Sequence, residues 1–337
     1  MALSDIVCIG ASAGGLDTMR RIVPDLPLDA TYFYVQHIAP EGPGGLGNLL
    51  NSAGPLEAWT VKEDQAIRPG TLHVAPPDHH LMIEHGRVRI VHGARENRTR
   101  PAIDPMFRSA AVAYRERVIG VVLTGLLDDG TAGMGAIQRC GGTVVIQDPV
   151  DAKYEDMPRA VQQSMEVDHC APASEVAALL GRLVGREVGN GVSPSPELCS
   201  EVAASMDFVN AERDNHRIGE LAALSCPECG GPMWEVEDPA VLRYRCHTGH
   251  AHTARSLEVG LTAAGEQALW VAIRSVEERV RMLGRLRERF VDLGNDWQVR
   301  RLTEEAEQAE QNARELRALI SGNWTPRPTS GAPGGVT

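Results

Sequence analysis

The 337-residue chain contains no apolar stretch approaching the roughly 18 residues that a membrane-crossing helix requires. Its start, Met1-Ala2-Leu3-Ser4-Asp5, lacks a basic region leading into a signal-type hydrophobic segment. The expected location is therefore the cytoplasm, without membrane insertion. No dense Lys/Arg run relieves the formal net charge of -12. Since nucleic-acid binding depends on neutralising phosphates, that class is disfavoured, while the charge itself favours solubility. What the chain does have is 43% hydrophobic residues, enough for a core, and a length that suits about two domains.

The most informative stretch is Gly10-Ala11-Ser12-Ala13-Gly14-Gly15, which follows the apolar run Ile6-Val7-Cys8-Ile9 and precedes a helix-like segment from Leu16 to Val23. A buried strand running through a glycine-flanked serine into a helix lifts a hydroxyl above the sheet. The new helix also offers unpaired N–H groups and a positive dipole end beside a developing oxyanion. Ser12 is thus the candidate nucleophile. The competing reading is a glycine turn that cradles a phosphate. Against it, the second half of the G-x-G-x-x-G spacing is missing and no Gly-Lys-Ser/Thr follows.

Two further expected strands end in chemical groups. Thr31-Tyr32-Phe33-Tyr34-Val35 leads to Gln36-His37, and Val118 to Leu123 leads to Thr124-Gly125-Leu126-Leu127-Asp128-Asp129-Gly130. In a doubly wound parallel sheet the carboxyl ends of the strands form one face, where ligands bind. Serine, histidine and aspartate there make a nucleophile, a base and an orienting carboxylate. Read singly, His37 is also compatible with a strand-end histidine bonded to a loop carbonyl, and Asp129 with support for a turn. The order Ser, His, Asp differs from the Ser, Asp, His of the α/β hydrolases and argues against that fold despite the G-x-S-x-G match. His73, His79, His80, His85 and His92 lie in or near an expected hairpin from Thr71 to Val91, with its turn at His85-Gly86, and read as surface residues.

These residues resemble the CheB-type chemotaxis methylesterases, which hydrolyse glutamate methyl esters on chemoreceptors. The likeness rests on Ile9 to Gly15, Val35-Gln36-His37, Arg100-Pro101-Ala102-Ile103-Asp104, Leu123-Thr124-Gly125 through Asp129-Gly130, and Met157-Pro158-Arg159. It implies a doubly wound, mostly parallel α/β sheet over 1–185, with Ser12 as nucleophile, His37 as general base and Asp129 as its partner. Asp128 is the runner-up, because the family's Thr-Gly-Met-Gly-x-Asp-Gly reads here Thr124-Gly125-Leu126-Leu127-Asp128-Asp129-Gly130. Backbone N–H groups of Ala13 and the Leu126 region are the expected oxyanion donors, since no particular side chain is needed there. The implied reaction needs no cofactor; its substrates are the methylated cytoplasmic helices of chemoreceptors, and glutamine deamidation follows the same steps.

Cysteine usage divides the chain. Cys8, Cys140, Cys170 and Cys199 are scattered and read as reduced thiols, with Cys8 a small core filler. Cys226-Pro227-Glu228-Cys229, a gap of sixteen residues, and Cys246-His247-Thr248-Gly249-His250 instead form two knuckles. Three thiolates and an imidazole at this spacing predict a structural zinc on Cys226, Cys229, Cys246 and His250, within a ribbon-like module over 221–255. His247 and His252 are alternative fourth ligands.

The Gly/Ser/Pro-rich 188–196 marks a linker, expected over 186–220. Heptad seams follow, through Leu269, Ile273, Val276, Val280 and Leu283 and then Val299, Leu302, Ala306, Ala309, Ala313, Leu316 and Ile320, with Gly294-Asn295 between them. They predict a helical hairpin or coiled coil over 256–322, followed by a disordered tail at 323–337. Many relatives carry a receiver domain ahead of the esterase. Here the first strand starts within ten residues of Met1, so none is expected, and the zinc and helical parts are expected to act as the docking or regulatory unit. The alternative function is a catalytically idle signalling scaffold that binds partners through those parts.

Overall fold

The computed structural model describes residues 2–42, 44–189, 191–206 and 219–323. It divides into two compact units, Met1–Leu257 and Glu258–Thr337.

The first unit is built on a seven-stranded, wholly parallel sheet. Its order is His169–Ala171, Thr143–Gln147, Val118–Val122, Ile6–Ala11, Thr31–Gln36, Thr71–Val74, Glu57–Thr60. The central strands read as unbroken apolar runs because both of their faces are covered. Alternate side chains supply two separate cores. Ile6, Cys8, Phe33 and Val35 join Ile103, Met106 and Phe107 on one face. On the other, Val7, Ile9, Tyr32 and Tyr34 meet Met19, Ile22, Val176 and Leu180. Burial pushes the Cys8 thiol far up, consistent with an inert filler.

Beside this sheet lie a three-stranded antiparallel sheet, Gln65–Ala66, Arg87–Val91 and His80–Glu84, and a four-stranded antiparallel one, Gly219–Ser225, Pro232–Val236, Arg243–Cys246 and Ala251–Thr253. The second unit holds the helical region. Leu283, Leu302 and Ala309 are buried there, with Val276, Val280 and Ala306 against them, and Arg317 Nε donates to Glu277 Oε1 at 3.0 Å.

Three expectations need revision. Thr71–Val74 belongs to the main parallel sheet and not to the hairpin, which is His80–Glu84 with Arg87–Val91. His73 is buried by that placement, and His80, the first residue of the hairpin, is buried as well, so neither is a surface residue. His73 stacks on Phe33 with ring centroids 5.2 Å apart, and His80 Nδ1 accepts from the Ala102 N–H. The segment 186–220 is not all linker, since it contains the helix Pro196–Met206. Ser195 Oγ accepts from the Leu198 N–H at 3.2 Å, so Pro196 is the first residue of a capped helix, a position where its missing donor is harmless. The rest of that segment at 207–218, and the expected tail beyond residue 323, lie outside the described residues.

Candidate active site

Three adjacent strands of the parallel sheet, Val118–Val122, Ile6–Ala11 and Thr31–Gln36, end on the same edge. Ser12 follows the middle strand immediately. Its N–H donates to Thr124 O at 3.0 Å, and its carbonyl accepts from Gln36 Nε2 at 2.7 Å and Gly15 N at 2.9 Å. Gly14, with φ 76°, turns the chain into the helix Gly15–Ile22. His37 stands directly after the neighbouring strand, its N–H on Ala11 O at 3.0 Å.

His37 Nδ1 lies 3.1 Å from Ser12 Oγ, and His37 Nε2 lies 2.7 Å from Asp129 Oδ2. Asp129, 3% exposed, is received by the N-terminus of the helix Ile103–Tyr114. Ile103 N donates to Oδ2 at 2.6 Å, and Asp104 N and Gly130 N donate to Oδ1 at 3.3 and 3.0 Å. Burial works to raise the Asp129 carboxyl, but hydrogen bonds from His37, Ile103 and Asn97 outweigh it and hold the group below the usual carboxylate range. Asp104 goes the other way, pushed up by burial and then by the charge of Asp129. A carboxylate facing Nε2 assigns the ring proton to that nitrogen and leaves the Nδ1 lone pair for the serine hydroxyl.

Residues 7–180, just over half of the chain, match the profile of the CheB methylesterase family. The chain belongs to that family. It is 35% identical over 182 residues to a chain of Leptospira interrogans serogroup Icterohaemorrhagiae serovar copenhageni, covering 53% of this chain and 94% of that one. That relative is named, provisionally, a protein-glutamate methylesterase/protein-glutamine glutaminase. Protein-glutamate methylesterase/protein-glutamine glutaminase 3 of Anaeromyxobacter dehalogenans is 37% identical over 161 residues, 47% of each chain. The crystal structure of the Thermotoga maritima CheB methylesterase catalytic domain superposes with a TM-score of 0.51 at 32% identity, covering 54% of this chain and 99% of that one.

Around the CheB-type site, Gly125 packs so tightly that a Cβ there would meet Met157 Sδ and lie 2.8 Å from Ser12 Cβ. The N–H groups of Ala13 and Leu126 donate to no protein acceptor among the described residues. Asp128, the runner-up carboxylate, is bonded not to His37 but to Thr253, whose Oγ1 donates to its Oδ1 at 2.8 Å; burial pushes it up to about 6.

The positions from 226 to 250 lie beyond the family match. Ligand atoms of Cys226, Cys229, Cys246 and His250 all fall within 4.8 Å of one another. Cys229 Sγ and Cys246 Sγ are 3.7 Å apart, as are Cys226 Sγ and His250 Nδ1. A tetrahedral ion with sulfur ligands at 2.3 Å has edges of about 3.8 Å, so the donor set and spacing fit a metal. His252 is not part of the cluster; it is buried, with Nδ1 3.5 Å from Ser256 Oγ. His247 also lies outside the cluster.

Sequence reasoning missed Asn97 and the role of Gln36. Gln36 Nε2 holds the Ser12 carbonyl, and its Oε1 accepts from Tyr34 Oη at 2.7 Å. The signal for Gln36 was its place beside His37; for Asn97 the local sequence offered none.

Proposed function

We propose that this chain is a protein-glutamate methylesterase acting on the methylated cytoplasmic helices of chemoreceptors, and that Ser12, His37 and Asp129 carry the chemistry. The observation that supports it is the continuous relay from Ser12 Oγ through the imidazole to Asp129, with steps of 3.1 and 2.7 Å. In this reading His37 Nδ1 takes the proton as Ser12 Oγ attacks the ester carbonyl. The resulting imidazolium, stabilised by Asp129, returns the proton to the departing methoxide, which leaves as methanol. Water, activated by the same nitrogen, then releases the glutamate carboxylate. The amides of Ala13 and Leu126 are the oxyanion donors, each worth about 3–4 kcal/mol of barrier. A glutamine amide passes through the same steps with ammonia leaving, and no cofactor enters either sequence.

Cys226, Cys229, Cys246 and His250 are proposed to hold a zinc ion. Four protein ligands leave no open position, so the ion supplies folding free energy to the ribbon and does not touch the ester or its attacking groups.

Methanol release from methylated receptor is the test, with Ser12→Ala as the comparison. Wild type should release methanol and Ser12→Ala should not, with unchanged thermal unfolding. Equal release from both proteins would remove Ser12 as the nucleophile.

A further inference from the structure

Asn97 is 6% exposed and stands between two carboxylates. Its Nδ2 donates to Asp129 Oδ1 at 2.8 Å and to Asp104 Oδ2 at 2.9 Å. Which way the amide points is fixed from the other side: Oδ1 accepts from Thr253 N at 3.0 Å, so the NH2 group must face the acids. The backbone is held as well, Asn97 N donating to Ala251 O at 2.8 Å. The last two of these bonds come from Ala251–Thr253, the strand that begins one residue after His250 of the Cys/His cluster.

Thr253, and Arg255 in the helix that follows it, tie down the loop 125–130 at two other points. Thr253 Oγ1 donates to Asp128 Oδ1 at 2.8 Å. Arg255 Nη2 donates to Asp156 Oδ2 at 3.1 Å, and that oxygen accepts from Leu127 N at 3.3 Å. One residue ahead of Asn97, Glu96 is joined to the ribbon through Arg245 Nη2 at 3.0 Å.

We propose that Asn97 is a positioning residue for Asp129, kept in register by Ala251–Thr253, so that metal occupancy of the adjacent Cys/His cluster sets the turnover of the esterase. This inference rests on the reading of Ser12, His37 and Asp129 given above. The physical reason is that a small antiparallel ribbon is marginal on its own and gains its order from the ion. Released from its knuckle, a three-residue strand no longer holds Asn97. Asp129 then loses one of its four donors besides His37, and the imidazole loses its fixed pose. A catalytic group displaced by about 1 Å loses on the order of 10²-fold in rate.

The experiment uses the full-length protein, zinc-loaded and chelator-stripped, as wild type and as Asn97→Ala. Metal content, kcat and KM for methanol release, and the proton NMR signal of His37 Nε2–H are recorded. Stripping the wild type should lower kcat by about tenfold to 10²-fold with KM nearly constant, and should shift or broaden the imidazole signal. Asn97→Ala should reproduce both effects while retaining its zinc, and stripping that variant should change kcat by less than about twofold, since the link is already cut. Wild-type kcat and an unmoved signal in either stripped wild type or zinc-loaded Asn97→Ala would overturn the proposal. So would losses that multiply, or a protein that takes up no zinc under reducing conditions. Should Asn97→Ala not fold, the stripped wild type decides alone by the same two readouts. A wild type that releases no methanol at all would sink the esterase reading, while the imidazole signal would still report whether the ribbon is coupled to His37.

Discussion

The imidazole of His37 meets Asp129 Oδ2 through Nε2 at 2.7 Å and Ser12 Oγ through Nδ1 at 3.1 Å, so the ring is clamped between acid and alcohol. Replacing Asp129 with asparagine keeps the shape but presents an NH2 group that donates to Nε2, moving the ring proton to the nitrogen that faces the serine. For Asp129→Asn we expect kcat for methanol release to fall on the order of 10⁴-fold with little change in KM. Activity within tenfold of wild type would show that Asp129 does not orient the base.

Gly125 offers a steric test of the same site. A methyl group there would collide with Met157 and crowd Ser12 Cβ. Overpacking of this kind costs about 1–3 kcal/mol, so Gly125→Ala should lower the melting temperature by several degrees and kcat by more than tenfold. An unchanged kcat would mean that the loop yields without moving the serine.

Asp128 supplies a pH dependence. Burial raises its carboxyl from the ordinary value near 4 to about 6, against the hydrogen bond from Thr253 and the charge of Arg255, while Asp129 and Asp156 add to the rise. The native state therefore holds this proton more tightly than the unfolded chain does. The corresponding stability is complete below about pH 4 and is lost as pH climbs through about 6. Asp128→Asn removes that loss. Its stability relative to wild type should rise between pH 4.5 and 7.5, by roughly 3 kcal/mol at most, measured by urea unfolding at the two pH values. A relative stability that falls with pH would contradict the assignment.

Glu201 lies 4% exposed among Arg108, Arg243 and Arg245, with Arg108 Nε at 3.4 Å and Arg245 Nη2 at 3.3 Å. Burial works against its charge, but the three guanidinium groups hold its carboxyl well below the usual range. Removing one partner from a buried ion pair leaves uncompensated charge and costs about 3–5 kcal/mol. Glu201→Gln should lose that much in denaturant unfolding. A loss below about 1 kcal/mol would show that water or a neighbouring acid takes its place.

The candidate site was legible to the extent that its geometry follows from local rules. Parallel strands end on one edge, so Ser12, His37 and the Asp128-Asp129 pair were bound to lie together once the strands were recognised. The resemblance selects Asp129 over Asp128, and the physical basis of that choice is the helix beginning at Ile103, which offers its N–H groups to Asp129 alone of the pair. Asn97 was invisible because its amide is set by Thr253, 156 residues further on. His73 is buried because the expected hairpin reaches into what is an inner strand of the parallel sheet, whereas His80, on the hairpin itself, is buried with its ring bonded to Ala94 O and Ala102 N. Pro196 closes the Gly/Ser/Pro-rich stretch that reads as linker, yet behind a capping serine it starts a helix.

The charges that join Arg108 and Glu96 to Glu201 and Arg245 also decide where the polypeptide can be cut. Both members of the first pair come from the CheB-type region, and both of their counterparts come from beyond residue 195. A chain ending near residue 188 would uncover a guanidinium and a carboxylate that are now buried, together with the apolar surface around them. Anyone wishing to produce the hydrolase half alone should expect an adhesive, poorly soluble product until that surface is repainted with water-compatible side chains.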